Sequence, residues 1–265
     1  MRALRWGVLV VVLVLFGGGL AWFVLSKRTP PQPVCLATTE DGKSSYRLTP
    51  EQAQNAGTVA GVGLRLGVPD HAVTVAIATA LQESKLYNLT GGDRDSAGLF
   101  QQRPSQGWGT YEQVTQPVYA SEAFYNRLRQ QKNWTDLTVT QAAQLVQHSA
   151  APDAYAQWEP EARVIARALT GETAATFTCQ NLTVGASSTS IVQIANSELG
   201  TAALSGAHDP ARGWALSSWL VANAVRFGLD KVTFDGRTWT PADGTWSQGG
   251  TADGTLSLHQ VPATS

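Results

Sequence analysis

The residue whose surroundings best suit chemistry is Glu83. It follows the run Ala72 to Leu81, AVTVAIATAL, which carries no charge on any face and so reads as a helix enclosed in a core. A carboxyl group at the C-terminal end of such a helix meets two influences that disfavour an anion as a class: loss of water and the negative end of the helix dipole. A carboxylic acid that keeps its proton near neutrality is the group that protonates a glycosidic oxygen. Downstream, the run GGDRDS offers Asp93 and Asp95 as candidates for a second carboxylate, which an inverting hydrolase needs to activate water. Asp95 ranks ahead of Asp93, although aspartates in a glycine-rich run also shape turns.

An acid of this kind has to be held by other elements, and the helix punctuation around it is clear. Thr49, Pro50 and Gln52 make a capping box with proline in the first turn, and Gly67 stops the helix that follows. Pro69 and Asp70 open the apolar helix that ends at Glu83. Further helices are expected from Pro117 to Gln131, from Val139 to His148, and from Pro160 to Leu169 with Gly171 as the stop. The stretch Tyr87 to Tyr111 is rich in Gly, Asp, Ser and Gln and lacks periodicity. An ordered loop of that length inside a compact domain is usually functional.

Read from Glu83-Ser84 through that loop to Gly98-Leu99-Phe100-Gln101 and Pro104, the chain resembles the Glu-Ser to Gly-Leu-Met-Gln arrangement of soluble lytic transglycosylases and goose-type lysozymes. The likeness covers roughly Thr49 to Gly171. The runs DSAGLFQQRPSQGWGT and AYAQWEPEAR are also similar to a group of actinobacterial membrane-anchored proteins. The resemblance implies a mainly α, lysozyme-like fold and peptidoglycan glycan strands as the partner. It also implies that Glu83 is the catalytic acid and base at the bond between N-acetylmuramic acid and N-acetylglucosamine. In the transglycosylase route the sugar's own 6-hydroxyl closes the ring and no second carboxylate is needed; in the hydrolase route Asp95 or Asp93 supplies the base.

Supporting roles follow on matching residues. Ser84 either orients Glu83 or caps the helix end, and Gly98 is expected to let the loop backbone pack closely on the Glu83 helix. Gln101 either contacts substrate N-acetyl groups, the preferred reading, or braces the loop. The family's Ala-Tyr-Asn-Ala-Gly segment, whose tyrosine lies beside the acid, has no matching string here. The nearest stretch is Gln147 to Tyr155, QHSAAPDAY, which makes Tyr155 a candidate for that role and His148 a helix-end residue. Trp108, Trp134 and Trp158 are candidates for stacking on sugar rings, with core packing as the alternative.

Composition frames these readings. The chain has 265 residues, a formal charge of −1 and 15% charged residues, which argues against nucleic acid as a partner. Trp6 to Leu25 carries no charged side chain, lies between Arg2 and Arg5 on one side and Lys27 and Arg28 on the other, and is about long enough to span a bilayer. Residues 1–28 are therefore expected to be a cytoplasmic stub and a transmembrane signal anchor, with the N-terminus inside and the soluble domains outside. The two cysteines, Cys35 and Cys179, are expected to form a disulfide in a non-cytosolic compartment, against the alternative of two buried thiols.

On this reading residues 35–179 are the lysozyme-like domain, 180–190 a linker, 191–247 a small α/β accessory domain, and 248–265 a flexible tail. The accessory region shows helices from Thr189 to Leu199 and from Arg212 to Phe227, a strand from Lys231 to Phe234 and a turn at Asp235-Gly236. The stretch GWALSSWLVANAVRFGLDKVTFDGRTW resembles a C-terminal domain of secreted actinobacterial proteins distantly similar to D-Ala-D-Ala carboxypeptidases. His208, Asp209 and His259 do not match the zinc spacing of those enzymes, so neither metal nor cofactor is expected. Binding of stem peptides and docking of a cell-envelope protein are its two candidate uses. The functional expectation is a membrane-anchored peptidoglycan-cleaving enzyme; the alternative is a catalytically silent lysozyme-like scaffold that holds wall glycan and positions partner proteins.

Overall fold

The computed structural model describes residues 31–263. Helix α1 (Pro50–Leu66) starts as its capping box dictates: Thr49 Oγ1 accepts the Gln52 amide hydrogen, and the Gln52 side chain accepts from the Thr49 amide. Gly67, at φ 64°, ends it in the left-handed region. Helix α2 (Asp70–Ser84) is buried from Ala72 through Leu81, as an all-apolar helix must be. Next come the short α3 (Tyr111–Val114) and the longer α4 (Pro117–Arg129), α5 (Val139–Gln147) and α6 (Glu159–Thr170). Helices α1, α4, α5 and α6 all pack on α2, which makes α2 the central rod around which the candidate site is built.

Strands β1 (Val34–Thr38), β2 (Ser45–Leu48) and β3 (Phe177–Gln180) form an antiparallel sheet in the order β2-β1-β3. Cys35 lies directly opposite Cys179 in the β1–β3 register, and the two form the expected disulfide. Helices α7 (Ile191–Leu199), α8 (Pro210–Ala222) and α9 (Ala224–Phe227) follow. The helix expected from Arg212 to Phe227 is interrupted at Asn223, whose side chain donates to the Trp219 carbonyl. A second sheet joins β4 (Gly206–Ala207), β5 (Leu229–Phe234), β6 (Arg237–Trp239), β7 (Ser247–Gln248) and β8 (Thr255–Gln260) in the order β4-β8-β5-β6-β7. Asp235 and Gly236 both have positive φ, 50° and 74°, and make the expected tight turn between β5 and β6.

The structure corrects the expected architecture in three places. Among the described residues no helix is long and apolar enough to cross a membrane, so a single-pass protein with its soluble part outside is not supported. The Trp6–Leu25 stretch on which that expectation rested lies outside the described residues. The division into a mainly α domain, a linker and a separate α/β domain also fails, because residues 33–265 form one compact unit. Helix α8 is buried throughout 213–222 and packs on α1, α6, β3 and β5 together. A helix that is apolar all round cannot be covered by one small sheet, and here α1 and α6 cover the remainder. Trp239 Nε1 donates to the Cys179 carbonyl and Trp246 Nε1 to the Phe177 carbonyl, each at 2.9 Å, which ties the two sheets together. Third, residues 248–265 are not simply a tail: β8 lies between β4 and β5, with Leu256 buried.

Candidate functional site

Glu83 stands in the last turn of α2, where Lys85 (φ 57°) and the buried Leu86 (φ 62°) turn the chain out of the helix. Its side chain is partly buried, and Oε1 accepts a 2.8 Å hydrogen bond from the Tyr155 hydroxyl. Tyr155 is fully buried. Burial, and after it the negative charge of Glu83, pushes the phenol above its ordinary value, so the phenol remains a proton donor. The structure thus places the Tyr155 hydroxyl beside the Glu83 carboxyl group.

Glu83 faces a polar cleft of about 490 Å³ whose lining also includes Gln101, Trp108, Gln147 and His148. One wall is the 85–110 loop, held to α2 by Ser84, whose Oγ donates to the Leu99 carbonyl at 2.7 Å. Ser84 therefore secures the loop and makes no bond to Glu83. The other wall is the end of α5 and the segment after it. Gln147 Nε2 crosses from there to the Phe100 carbonyl at 2.8 Å, and His148 ends the helix in the left-handed region at φ 50°.

The loop is braced from within. Gly98, at φ 79°, donates its amide to the Leu89 carbonyl at 2.7 Å, and a Cβ there would lie 2.0 Å from the Val114 carbonyl oxygen. Its close approach is thus to α3 and not, as expected, to α2. Gln101 spends both ends of its amide on the loop, accepting from Ser96 Oγ at 3.0 Å and donating to the Gly98 carbonyl at 3.1 Å. Bracing, rather than the preferred substrate contact, is what its bonds support.

Asp95 is engaged on both oxygens: Ser105 N–H at 2.7 Å, Arg103 Nε at 2.9 Å and Ser105 Oγ at 3.0 Å. These donors, the Ser105 amide foremost, hold its carboxyl well below the usual carboxylate range. It is a loop brace with little basicity left for activating water. Asp93 lines the same cleft but is exposed, with Arg94 Nε 3.9 Å away.

The tryptophans are mostly occupied. Trp108 is buried under the Arg127 guanidinium, 3.6 Å from its ring centroid, while still lining the cleft. Trp134 stacks on His71, and Trp158 lies beneath Lys85 Nζ at 4.0 Å. Sequence reasoning gave no role to Gln82, Gln102 or Gln147. Gln102 is buried and bonds the Ala120 carbonyl, and Gln82 accepts from Trp158 Nε1. The only signal for them was proximity to the Glu-Ser and Gly-Leu-Phe-Gln segments.

A larger polar groove of about 700 Å³ runs between α1, the start of α4 and α7. Its one deeply buried carboxylate, Glu198, has Oε1 bound by Arg226 at 2.9 Å and Oε2 by Trp219 Nε1 at 2.8 Å, which leaves it no free oxygen for chemistry. Among the described residues no group of three His, Cys, Asp or Glu side chains is placed to hold a metal ion. Asp209 caps α8 and His259 bonds Asp230 at 2.6 Å, so His208, Asp209 and His259 do not converge. No protein-family model matches the chain, and no curated protein matches it.

Proposed function

We propose that this protein cleaves peptidoglycan glycan strands, with Glu83 as general acid and then base at the bond between N-acetylmuramic acid and N-acetylglucosamine. The observation that carries the reading is the Tyr155–Glu83 hydrogen bond at a polar cleft whose far wall is the Gly98–Gln101 loop. The Glu83 carboxylic acid gives its proton to the glycosidic oxygen as the bond to the anomeric carbon breaks. The carboxylate so formed is stabilised by the Tyr155 hydroxyl. It then takes the proton of the muramic 6-hydroxyl as that oxygen attacks the anomeric carbon. The acid is regenerated, no water is consumed, and the product carries a 1,6-anhydro ring. The engagement of Asp95 by three donors favours this route over hydrolysis, which would need a free second carboxylate.

The test is mass spectrometry of fragments released from purified peptidoglycan by the protein and by its Glu83→Gln variant. Anhydro ends from the wild type, reduced at least about 10²-fold in the variant, are the expected result. Reducing ends would instead assign a hydrolase and direct attention to Asp93. No release from the folded protein, with glycan still bound, would overturn the enzyme reading and leave a wall-binding scaffold.

A further inference from the structure

The geometry points to Gln82 as a positioning residue for the acid: its side-chain oxygen fixes the turn that delivers Tyr155 to Glu83. This inference rests on the glycan-cleaving reading above. Three consecutive side chains at the end of α2 reach four partner residues outside the helix. Gln82 Oε1 accepts from Trp158 Nε1 at 2.7 Å and from Gln157 Nε2 at 3.2 Å. Glu83 Oε1 accepts from Tyr155, and Ser84 Oγ donates to Leu99. The first two contacts bear on one piece of chain, because Gln157 and Trp158 form the single 3₁₀ turn Ala156–Trp158, whose N-terminal flanking residue is Tyr155.

That turn has no side-chain cap of its own. The Trp158 indole is partly buried, so its N–H requires an acceptor, and Gln82 provides one. Lys85 Nζ closes the face of the same ring. Two hydrogen bonds converging on one amide oxygen therefore hold the backbone that begins at Tyr155. The position of the Tyr155 hydroxyl relative to Glu83 depends on the reach of the Gln82 side chain. A shift of the donor behind a general acid alters the proton-transfer step more than it alters binding of the glycan.

The experiment compares the full chain with Gln82→Leu and Gln82→Glu by hydrogen–deuterium exchange and by the kinetics of fragment release. Gln82→Leu keeps similar bulk but has no acceptor. Amides of residues 155–158 are expected to exchange at least about 10-fold faster, with residues 99–102 unchanged. The kcat is expected to fall between about 10-fold and 100-fold while KM stays within about twofold. Gln82→Glu retains an oxygen acceptor and is expected to restore protection of the turn and most of kcat. Should Gln82→Leu fail to fold, Trp158→Phe removes the bond from the donor side and carries the same expectations.

Unchanged exchange, unchanged kcat, or a loss that Gln82→Glu does not rescue would each overturn the assignment. If the wild type releases no fragments, the glycan-cleaving reading falls and this role falls with it. If the wild type is active and Gln82→Leu matches it, only the positioning role is lost.

Discussion

Replacing Tyr155 by Phe removes one oxygen and leaves a ring that is fully buried. The hydroxyl's 2.8 Å bond goes to Glu83 Oε1, and when that carboxyl group is ionised a hydrogen bond of this kind contributes about 1.5–3 kcal/mol. Glu83 is only partly buried and opens onto the cleft, so water can compensate for part of the loss, which places the cost at about 1–2 kcal/mol. In a unit of this size each kcal/mol shifts Tm by about 2–4 °C, giving a drop of about 2–8 °C. The assay is calorimetric unfolding of four proteins: wild type, Tyr155→Phe, Glu83→Gln and the double variant. Gln at position 83 can still accept the bond but without charge, so a coupling of roughly 1 kcal/mol is expected across the cycle. Tyr155→Phe alone is expected to lower kcat about 10-fold, because the carboxylate formed on proton transfer loses its donor. Strictly additive stability losses with an unchanged kcat would refute the argument that Tyr155 serves the acid.

Gly98→Ala combines a φ of 79° with a Cβ placed 2.0 Å from the Val114 oxygen and is expected to cost more than about 3 kcal/mol. Gly42→Ala, at φ 69° with no atom within 4 Å, carries the backbone strain alone, about 1–2 kcal/mol, so chemical denaturation of the pair isolates the clash. Removing the disulfide as Cys35→Ala with Cys179→Ala, across a sequence separation of 144, is expected to lower stability by about 2–4 kcal/mol, read as a fall in Tm that reductant reproduces in the wild type. Burial holds the phenols of Tyr125 and Tyr155 above the ordinary tyrosine value. In the unfolded chain they lose protons near pH 10, so above that pH the native state binds more protons than the unfolded one and stability falls as pH rises. Thermal scans are expected to show a flat Tm up to about pH 10 and a decline beyond it, shallower in Tyr125→Phe.

The helices were legible because their signals are local. The Thr49–Gln52 capping box, Pro117 and the stops at Gly67 and Gly171 act within a turn or two of themselves, and each starts or ends an element within a few residues of where it was expected. The first sheet had no comparable signal: FTCQ and SYRL are strands of only four residues, and the partner of FTCQ lies far along the chain, as the pairing of Cys35 with Cys179 shows. The run GWALSSWLVA was legible as a helix, yet its lack of a polar face also required cover on every side. That requirement is incompatible with a free-standing small domain, and following it through would have joined the two regions. TLSLHQ alternates weakly, with only Leu256 buried outright, so its place inside a sheet depends on strands the sequence scarcely announces.

The site divides along the same line. Glu83 stood out because a carboxyl group at the end of an all-apolar helix is a local conflict, and such conflicts concentrate where chemistry is done. Tyr155 could be nominated only through a resemblance, since 72 residues separate it from Glu83 and it is the packing of the 156–158 turn and α6 on α2 that brings it close. The roles of Asp95, Gln101 and Ser84 were open for a different reason. Each has several ways to satisfy its polar atoms, and the choice is fixed by the loop's left-handed positions at Arg94, Gly98 and Gln101, which turn the backbone so that these side chains bond the loop itself. Once those bonds are assigned, one partly buried carboxyl group remains with a tyrosine donor behind it and a cleft in front. A second carboxylate able to act as a base would have to be Asp93, and its exposure gives it no fixed geometry from which to direct a water molecule.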